Sequence, residues 1–282
     1  MSLQALWGGA GVLAVLALAI PVRAQRDTNR PATQPPAEAW TISDDAPCTG
    51  LTIGWAIPLP ELRHLLGAGV EPAAGPAPGT GLLLLFAARC PGATIGGERT
   101  GPFVTTHVIV PIAPPSADIA ARAPEARGWI AIPTTFDSLD AAVGTLFRRH
   151  GFAVRPGRAT VEIEPVPHAT RGRFVLATSS GRLEAEATFA DSARHFESVT
   201  GLVGGGADAR ALAHGPEHSM RQSGGRATVT VKGTTILSGL HPVGAPVAVL
   251  DTHFVWSFSF ERSDTPRRMR HRLPPLTPRS AR

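Results

Sequence analysis

Short apolar runs fill most of the chain between Cys48 and Arg262, and many of them alternate with polar residues. In "FVTTHVIVPI" this alternation puts Phe103, Thr105 and His107 on one face, which is typical of a strand. Glycine and proline separate the runs, as turns require. Strands are therefore predicted in "LTIGWAI", "GLLLLFAAR", "FVTTHVIVPI", "GWIAIP", "ATVEIEP", "RFVLAT", "RLEAEATF", "ATVTVKG", "TTILSG", "APVAVL" and "FVWSFSF".

Two segments follow the helical period instead. "PLPELRHLLGAG" carries a stripe of leucines that stops at Gly67. In "FDSLDAAVGTLFRRHG", Asp137 or Ser138 is the predicted N-cap and Gly151 the predicted end. Many short strands with two or three short helices predict a mainly β fold, arranged as one closed or nearly closed antiparallel β-barrel or as a sandwich.

The N-terminal residues predict export. Residues 1–24 combine an apolar run with the small residues Val22 and Ala24 of a signal-peptide cleavage site. No Lys or Arg precedes the run, so an uncleaved membrane anchor is the competing interpretation. Residues 25–47 are polar and proline-rich, which predicts a linker ahead of a β-barrel domain over 48–262. We expect a periplasmic or extracellular protein.

The chain has two cysteines, Cys48 and Cys90. In an oxidising compartment an isolated even pair predicts a disulfide, and two buried free thiols are the alternative. Neither cysteine lies in a CxxC pair, so the cysteines predict no metal site.

Positive charge is concentrated at the C-terminal end of the chain. The segment after Glu261 holds seven arginines and one acid, whereas residues 25–261 carry 19 basic and 21 acidic residues. Residues 263–282 are therefore predicted to be a disordered basic tail. A near-neutral body gives no support to nucleic-acid binding. Membrane contact is expected only through this tail or an uncleaved N-terminal segment.

The order of the predicted elements resembles a known family. A helix in "LPELRHLL" is followed by "LLLLFAARC", "GGERTGPFVTTHVIVPI", "AAVGTLFRRHGFAVRPG" and, near the end, "HPVGAPVAVLDTHFVWSFSF". Over residues 50–261 this order is similar to the acetoacetate decarboxylase family and its non-decarboxylase relatives. The resemblance implies a closed β-barrel around a small-molecule cavity.

That family places a Schiff-base lysine after a "GF" pair. Here the pair is Gly151–Phe152, no lysine follows it, and Arg155 and Arg158 lie near the expected position. A guanidinium stays protonated and is not a carbonyl nucleophile, so the usual Schiff-base mechanism is not expected. The only lysine, Lys232, lies on the polar face of "TVTVKG" and is predicted to be exposed.

Two regions that the resemblance places at the cavity supply the candidate ligand-binding residues. These are Glu98, Arg99, His107, Arg148, His150 and Arg155. Asp251 and His253 share one strand face, either as a carboxylate–imidazole pair or as ordinary surface polarity.

Two classes of function stay open. The first is a secreted binding protein with a cavity for a small hydrophobic carboxylate or ketone. The second is a lyase or hydratase of the same fold that uses Glu, His and Arg instead of Lys; catalytic residues are not assigned in either case.

Other motifs are missing or uninformative. The chain contains no G-x-S-x-G and no H-E-x-x-H, and "GLVGGGADAR" lacks the strand and helix that flank a phosphate-binding loop. "SMRQSGG" predicts an ordinary turn. No cofactor and no metal are predicted, and the oligomeric state is left open.

Overall fold

The computed structural model of this chain describes residues 38–42, 47–66, 70–95, 98–113, 128–136, 139–149, 152–191, 194–204, 216–255 and 257–260. The predicted signal peptide, most of the predicted linker and the predicted basic tail lie outside these residues.

The described part of the chain is mainly β, as predicted, with two short helices. The helices are α1 (Leu59–Leu66) and α2 (Ala141–Arg149). The strands are β1 (Glu38–Ile42), β2 (Cys48–Pro58), β3 (Thr80–Cys90), β4 (Ala93–Ile95), β5 (Glu98–Arg99), β6 (Phe103–Pro111), β7 (Gly128–Phe136), β8 (Val154–Arg155), β9 (Arg158–Val166), β10 (Ala169–Ala177), β11 (Gly181–Ala190), β12 (Arg194–Gly204), β13 (Pro216–Gly233), β14 (Val243–Val255) and β15 (Ser257–Phe260).

The strands form two sheets. The larger sheet has the order β12-β7-β6-β3-β2-β14-β13-β11-β10-β9, with β8 beside β7. Strand β12 pairs with β7 in parallel and also with β13 antiparallel. The smaller sheet has the order β15-β1-β4-β5. A closed barrel stays a prediction at this point.

Strands β2, β3, β6 and β7 are buried on both faces, because alternate residues enter two separate apolar cores. The first core lies against α1, β9, β10 and β11, and includes Leu51, Leu85, Val108 and Phe174. The second core lies against α2 and includes Phe86, Ile109, Val143, Phe147 and Phe152. Two cores on either side of the same strands explain the nearly continuous apolar runs of β2 and β3.

The predicted disulfide is present. Cys48 begins β2 and Cys90 ends β3, their sulfurs are bonded, and both residues are completely buried. The neighbouring pair Thr49 and Arg89 is in register, so the two cysteines lie opposite each other across the strand pair. The disulfide therefore ties "LTIGWAI" to the end of "LLLLFAARC", as predicted.

Part of the predicted linker is a strand. Residues Glu38–Ile42 form β1, which pairs with both β15 and β4. The prediction of a linker over 25–47 is wrong for these five residues. Their short "AWTI" run lies between a proline-rich and an acidic segment, so the sequence around it does not indicate a strand.

The second helix starts later than predicted. The backbone N–H of Ala142 donates to Oδ1 of Asp140 at 2.9 Å, and that of Gly144 donates to the Asp140 carbonyl at 2.8 Å. Asp140 is therefore the N-cap, instead of Asp137 or Ser138, which both lie outside the described residues.

Three local predictions are wrong. "FVWSFSF" is divided between β14 and β15, which belong to different sheets. "SMRQSGG" lies inside β13, where register shifts accommodate its irregular sequence. "TTILSG" is a turn, in which Leu237 N–H donates to Oγ1 of Thr235 at 3.3 Å and Gly239 has a φ of 87°. Local hydrogen bonds from backbone N–H groups to a hydroxyl, together with a left-handed glycine, explain why this run does not form a strand.

Candidate functional site

His107 lies at the centre of the second core and is completely buried. Its cross-strand partners are Phe86 on β3 and Thr135 on β7. The imidazole stacks on Phe86 at 6.2 Å between ring centroids and on Phe147 of α2 at 5.3 Å. Gly50 makes this packing feasible, because a Cβ there would lie 2.9 Å from the Phe86 ring.

Both ring nitrogens of His107 have neutral partners. Nε2 lies 2.5 Å from Oγ1 of Thr105, and Nδ1 lies 2.8 Å from Oγ1 of Thr135. A neutral imidazole donates through one nitrogen and accepts through the other, which matches two hydroxyl partners. Burial lowers the pKa of His107 to about 3, so the ring is uncharged at neutral pH. His107 therefore holds the second core together as a neutral polar group.

The other described candidate residues are not shown in contact with His107. Glu98 and Arg99 form the exposed strand β5 at the edge of the smaller sheet. Arg148 is exposed near the end of α2, and His150 lies outside the described residues. Both side chains of β5 are exposed, so they do not enter the second core. Their predicted role in ligand binding stays a prediction.

Arg155 lies beside the first core and not beside His107. Strand β8 runs parallel to β7, with Val154 beside Thr135 and Arg155 beside Phe136. Val154 packs on the second core, so alternation turns Arg155 to the opposite face, where Phe136 belongs to the first core. Gly157 is required close by, because a Cβ there would lie 2.8 Å from the Phe136 ring.

The guanidinium of Arg155 is half-buried and has no carboxylate partner among the described residues. Burial lowers its pKa from the usual value. A guanidinium nevertheless remains protonated in proteins. Among the described residues, therefore, nothing compensates the positive charge of Arg155 beside the first core.

Two buried hydroxyls on the same face also lack partners. Oγ1 of Thr106 and Oγ1 of Thr134 have no hydrogen-bond partner within the described ranges, and the residues are 0% and 1% exposed. Thr106 alternates with Val104 and Val108 of the first core, and Thr134 lies opposite Val108. A buried hydroxyl without a partner costs about 1–3 kcal/mol. We define Arg155, Thr106 and Thr134 as the anion site.

The register places the members of the anion site on one face of three neighbouring strands. Thr134 precedes Phe136 by two residues on β7, and Phe136 lies beside Arg155 on β8. A long side chain such as that of arginine can reach diagonal neighbours on an adjacent strand. On β6, the other neighbour of β7, His107 lies opposite Thr135, so Thr106 lies opposite Phe136. A carboxylate between them would accept from the guanidinium and from either hydroxyl.

Sequence reasoning missed both hydroxyls. Alternation assigns Thr106 to the face opposite His107, but only the strand register reveals that Thr134 and Arg155 share that face. The third buried oxygen without a partner, Oε1 of Gln222, lies on β13 and does not belong to this group.

The remaining sequence candidates are placed as follows. Lys232 is exposed at the end of β13, as predicted. Asp251 is 3% exposed on β14, and the side chain of His253 lies outside the described part of the chain.

Within the described residues, no group of three or more His, Cys, Asp or Glu side chains could hold a metal ion. None of the described helices is long and apolar enough to span a membrane.

Neither the family models nor the curated proteins contain a match to this chain. Among solved structures, one similar chain is the enduracididine biosynthesis enzyme MppR, complexed with the condensation product of pyruvate and imidazole 4-carboxaldehyde. It has a TM-score of 0.48 and 13% identity, over 81% of this chain and 88% of that one.

Two more similar structures carry the name acetoacetate decarboxylase or acetoacetate decarboxylase-like enzyme. An acetoacetate decarboxylase-like enzyme from Sphingomonas wittichii RW1 has a TM-score of 0.45 and 10% identity, over 84% of this chain and 96% of that one. An acetoacetate decarboxylase has a TM-score of 0.45 and 9% identity, over 80% and 88% of the two chains. The resemblance stated from the sequence names the same family.

Proposed function

We propose that this chain is a small-molecule-binding protein whose ligand is a small hydrophobic carboxylate. The observation that carries this proposal is the anion site: a half-buried guanidinium on the same face as two buried hydroxyls, none of which has a partner in the described part of the chain. A bound carboxylate would compensate the charge of Arg155 and give either hydroxyl an acceptor. The apolar residues of the first core around Thr106 and Thr134 favour a ligand with a hydrocarbon body.

Binding is favoured over catalysis by the state of His107. A general acid or base acts best when its pKa lies near the working pH and when it reaches the reacting group. Burial lowers the pKa of His107 to about 3, and both of its nitrogens are occupied by threonine hydroxyls. A lyase or hydratase that relies on this histidine is therefore disfavoured.

We also propose that the larger sheet closes into a barrel. Support comes from β12, which pairs with β7 on one side and with β13 on the other, so each of the seven strands β7, β6, β3, β2, β14, β13 and β12 has two neighbours. Closure would protect the amides on both edges of β12 from hydrogen exchange. Protection of alternate β12 amides alone would contradict closure.

Export is likewise a proposal. The Cys48–Cys90 disulfide supports it, because structural disulfides persist in oxidising compartments. Mass spectrometry of the mature protein would show whether the chain begins after Ala24, as the predicted cleavage site requires.

Calorimetry with matched ligands tests the binding function. We expect hexanoate to bind and hexanamide, which has the same shape without the charge, to bind at least tenfold more weakly. Arg155→Gln should abolish this preference, since it removes the cation but keeps a polar side chain. Arg158→Gln is the matched control, because Arg158 is an exposed arginine three residues away. Equal loss of binding in both variants would refute the assignment to Arg155.

A further inference from the structure

The turn between β13 and β14 lies over part of the first core. Residues 234–242 form this turn, between Gly233 at the end of β13 and Val243 at the start of β14. We call these residues the lid segment. Three of its apolar side chains are partly buried and pack against the first core: Ile236, Leu237 and Leu240. The lid segment therefore separates part of this core from solvent.

The lid segment is held together by its own hydrogen bonds. Ser238 N–H donates to the Thr235 carbonyl at 3.0 Å, and Leu240 N–H donates to the Leu237 carbonyl at 3.1 Å. Thr235 N–H donates to Oγ of Ser238 at 2.8 Å. Among the described residues, no backbone hydrogen bond joins residues 235–240 to another element. The segment can therefore move as a unit without breaking its internal bonds.

Glycines with a left-handed backbone border the lid segment on both sides. Gly233 has a φ of 69° and Gly244 a φ of 77°. A few residues at the ends of a lid absorb the backbone rotation when it opens, and glycine adopts either sign of φ at little cost. A Cβ on Gly244 would meet no atom within 4 Å, so the glycine is required there by its conformation and not by packing.

An exposed ion pair joins the lid segment to α1. Glu61 of α1 accepts from the backbone N–H of His241 at 2.8 Å, and its other oxygen lies 2.9 Å from Nδ1 of the same residue. Helix α1 contributes Leu62 and Leu66 to the first core, so both sides of this contact cover that core. Exposed ion pairs shift an equilibrium by no more than about fivefold. The contact is therefore weak enough to open.

We propose that the lid segment opens by rotation at Gly233 and Gly244, with the Glu61–His241 contact as its latch, and so controls the entry of ligand into the first core. This inference rests on the proposed binding function. A gate changes the rate constants of association and dissociation together, because the ligand passes it in both directions. The dissociation constant stays the same when the open fraction rises equally with and without ligand.

Stopped-flow kinetics of hexanoate binding test this inference. Tryptophan fluorescence is the signal, since Trp55 belongs to the first core. Glu61→Ala removes the latch and should raise both rate constants up to about fivefold, with a change of less than about twofold in the dissociation constant. Gly244→Ala should also raise both rate constants, because alanine disfavours the left-handed φ of the closed segment.

Each variant has a matched control. Arg63→Ala removes another exposed ion pair of α1, to Glu71 at 2.6 Å, whose partner lies outside the lid segment. Gly79→Ala places the same strain, at a φ of 72°, in the turn before β3, where a Cβ also meets no atom within 4 Å. Both controls should leave the two rate constants unchanged.

The outcomes separate this inference from the proposed function. Rate constants of Glu61→Ala equal to those of wild type, or equal to those of Arg63→Ala, would overturn the lid. An increase in the dissociation rate constant alone would also overturn it, because that result indicates a weakened site and not a gate. If wild type does not bind hexanoate, the proposed function fails and this inference fails with it.

Discussion

The buried histidine makes acid stability a sensitive test of the second core. His107 is neutral in the folded protein, and burial lowers its pKa from 6.5 to about 3. Because the folded pKa is depressed, the unfolded chain binds a proton below pH 6.5 that the folded protein does not bind until about pH 3. The free energy of unfolding should therefore fall as the pH decreases between these two values and should not respond to this group above pH 6.5.

The expected magnitude follows from the two pKa values. At pH 4.5 the unfolded chain gains about 2.7 kcal/mol from protonating this imidazole, and at pH 5.5 about 1.4 kcal/mol. His107→Gln keeps a polar side chain between Thr105 and Thr135 but cannot titrate. Urea unfolding of wild type and variant at several pH values gives the slope of the free energy of unfolding against pH for each protein. The difference between the two slopes does not depend on any uniform loss of stability in the variant.

Two comparisons make this test specific. His168→Asn removes an exposed imidazole from a turn with a φ of 58°, which asparagine tolerates, and serves as a histidine replacement outside the second core. Carboxylates such as Glu184 titrate in wild type and variants alike, so they cancel in the difference. A slope for His107→Gln equal to that of wild type between pH 6.5 and 4.5 would refute the assignment of a neutral buried His107.

Other predictions concern the covalent and local features of the fold. Cys48→Ala/Cys90→Ala should lower the free energy of unfolding by about 4 kcal/mol for a sequence separation of 42, measured by urea unfolding; a loss below about 1 kcal/mol would contradict this. Asp140→Ala should cost about 1 kcal/mol in the same assay and Asp140→Asn much less, because asparagine also caps; equal losses would argue against the cap. Borohydride trapping with acetoacetate or pyruvate should leave no adduct on Lys232, and an adduct that Lys232→Arg abolishes would establish an imine-forming enzyme.

Alternation predicted where most strands lie but not how they pair. "FVTTHVIVPI" showed that Thr105 and His107 share a face, and their contact follows from that period. The division of "FVWSFSF" between two sheets depends on β1, which lies more than 200 residues earlier and supplies the partner of β15. The end of one strand and the start of the next are set here by pairing with a distant segment, which a local sequence pattern does not predict.

The anion site was only partly predictable for the same reason. Arg155 was selected from its position after the "GF" pair, whereas Thr134 gave no chemical signal in the sequence. Its hydroxyl becomes a candidate ligand contact because the parallel pairing of β7 with β8 puts it on the same face as Arg155, and because it has no partner among the described residues. The six candidate residues were expected to converge, and β5 instead places Glu98 and Arg99 on a separate sheet.

The most direct test of the anion site is the paired effect of Thr134→Val on stability and on binding. Removing a buried hydroxyl without a partner should raise the free energy of unfolding of the ligand-free protein by about 1 kcal/mol. The same change should weaken hexanoate binding by at least about tenfold, since a hydrogen bond to a charged group is lost. Thr135→Val is the control on the opposite face, where the hydroxyl contacts His107; it should lower stability and leave binding unchanged. A Thr134→Val variant that is less stable, or that binds hexanoate as wild type does, would contradict the account.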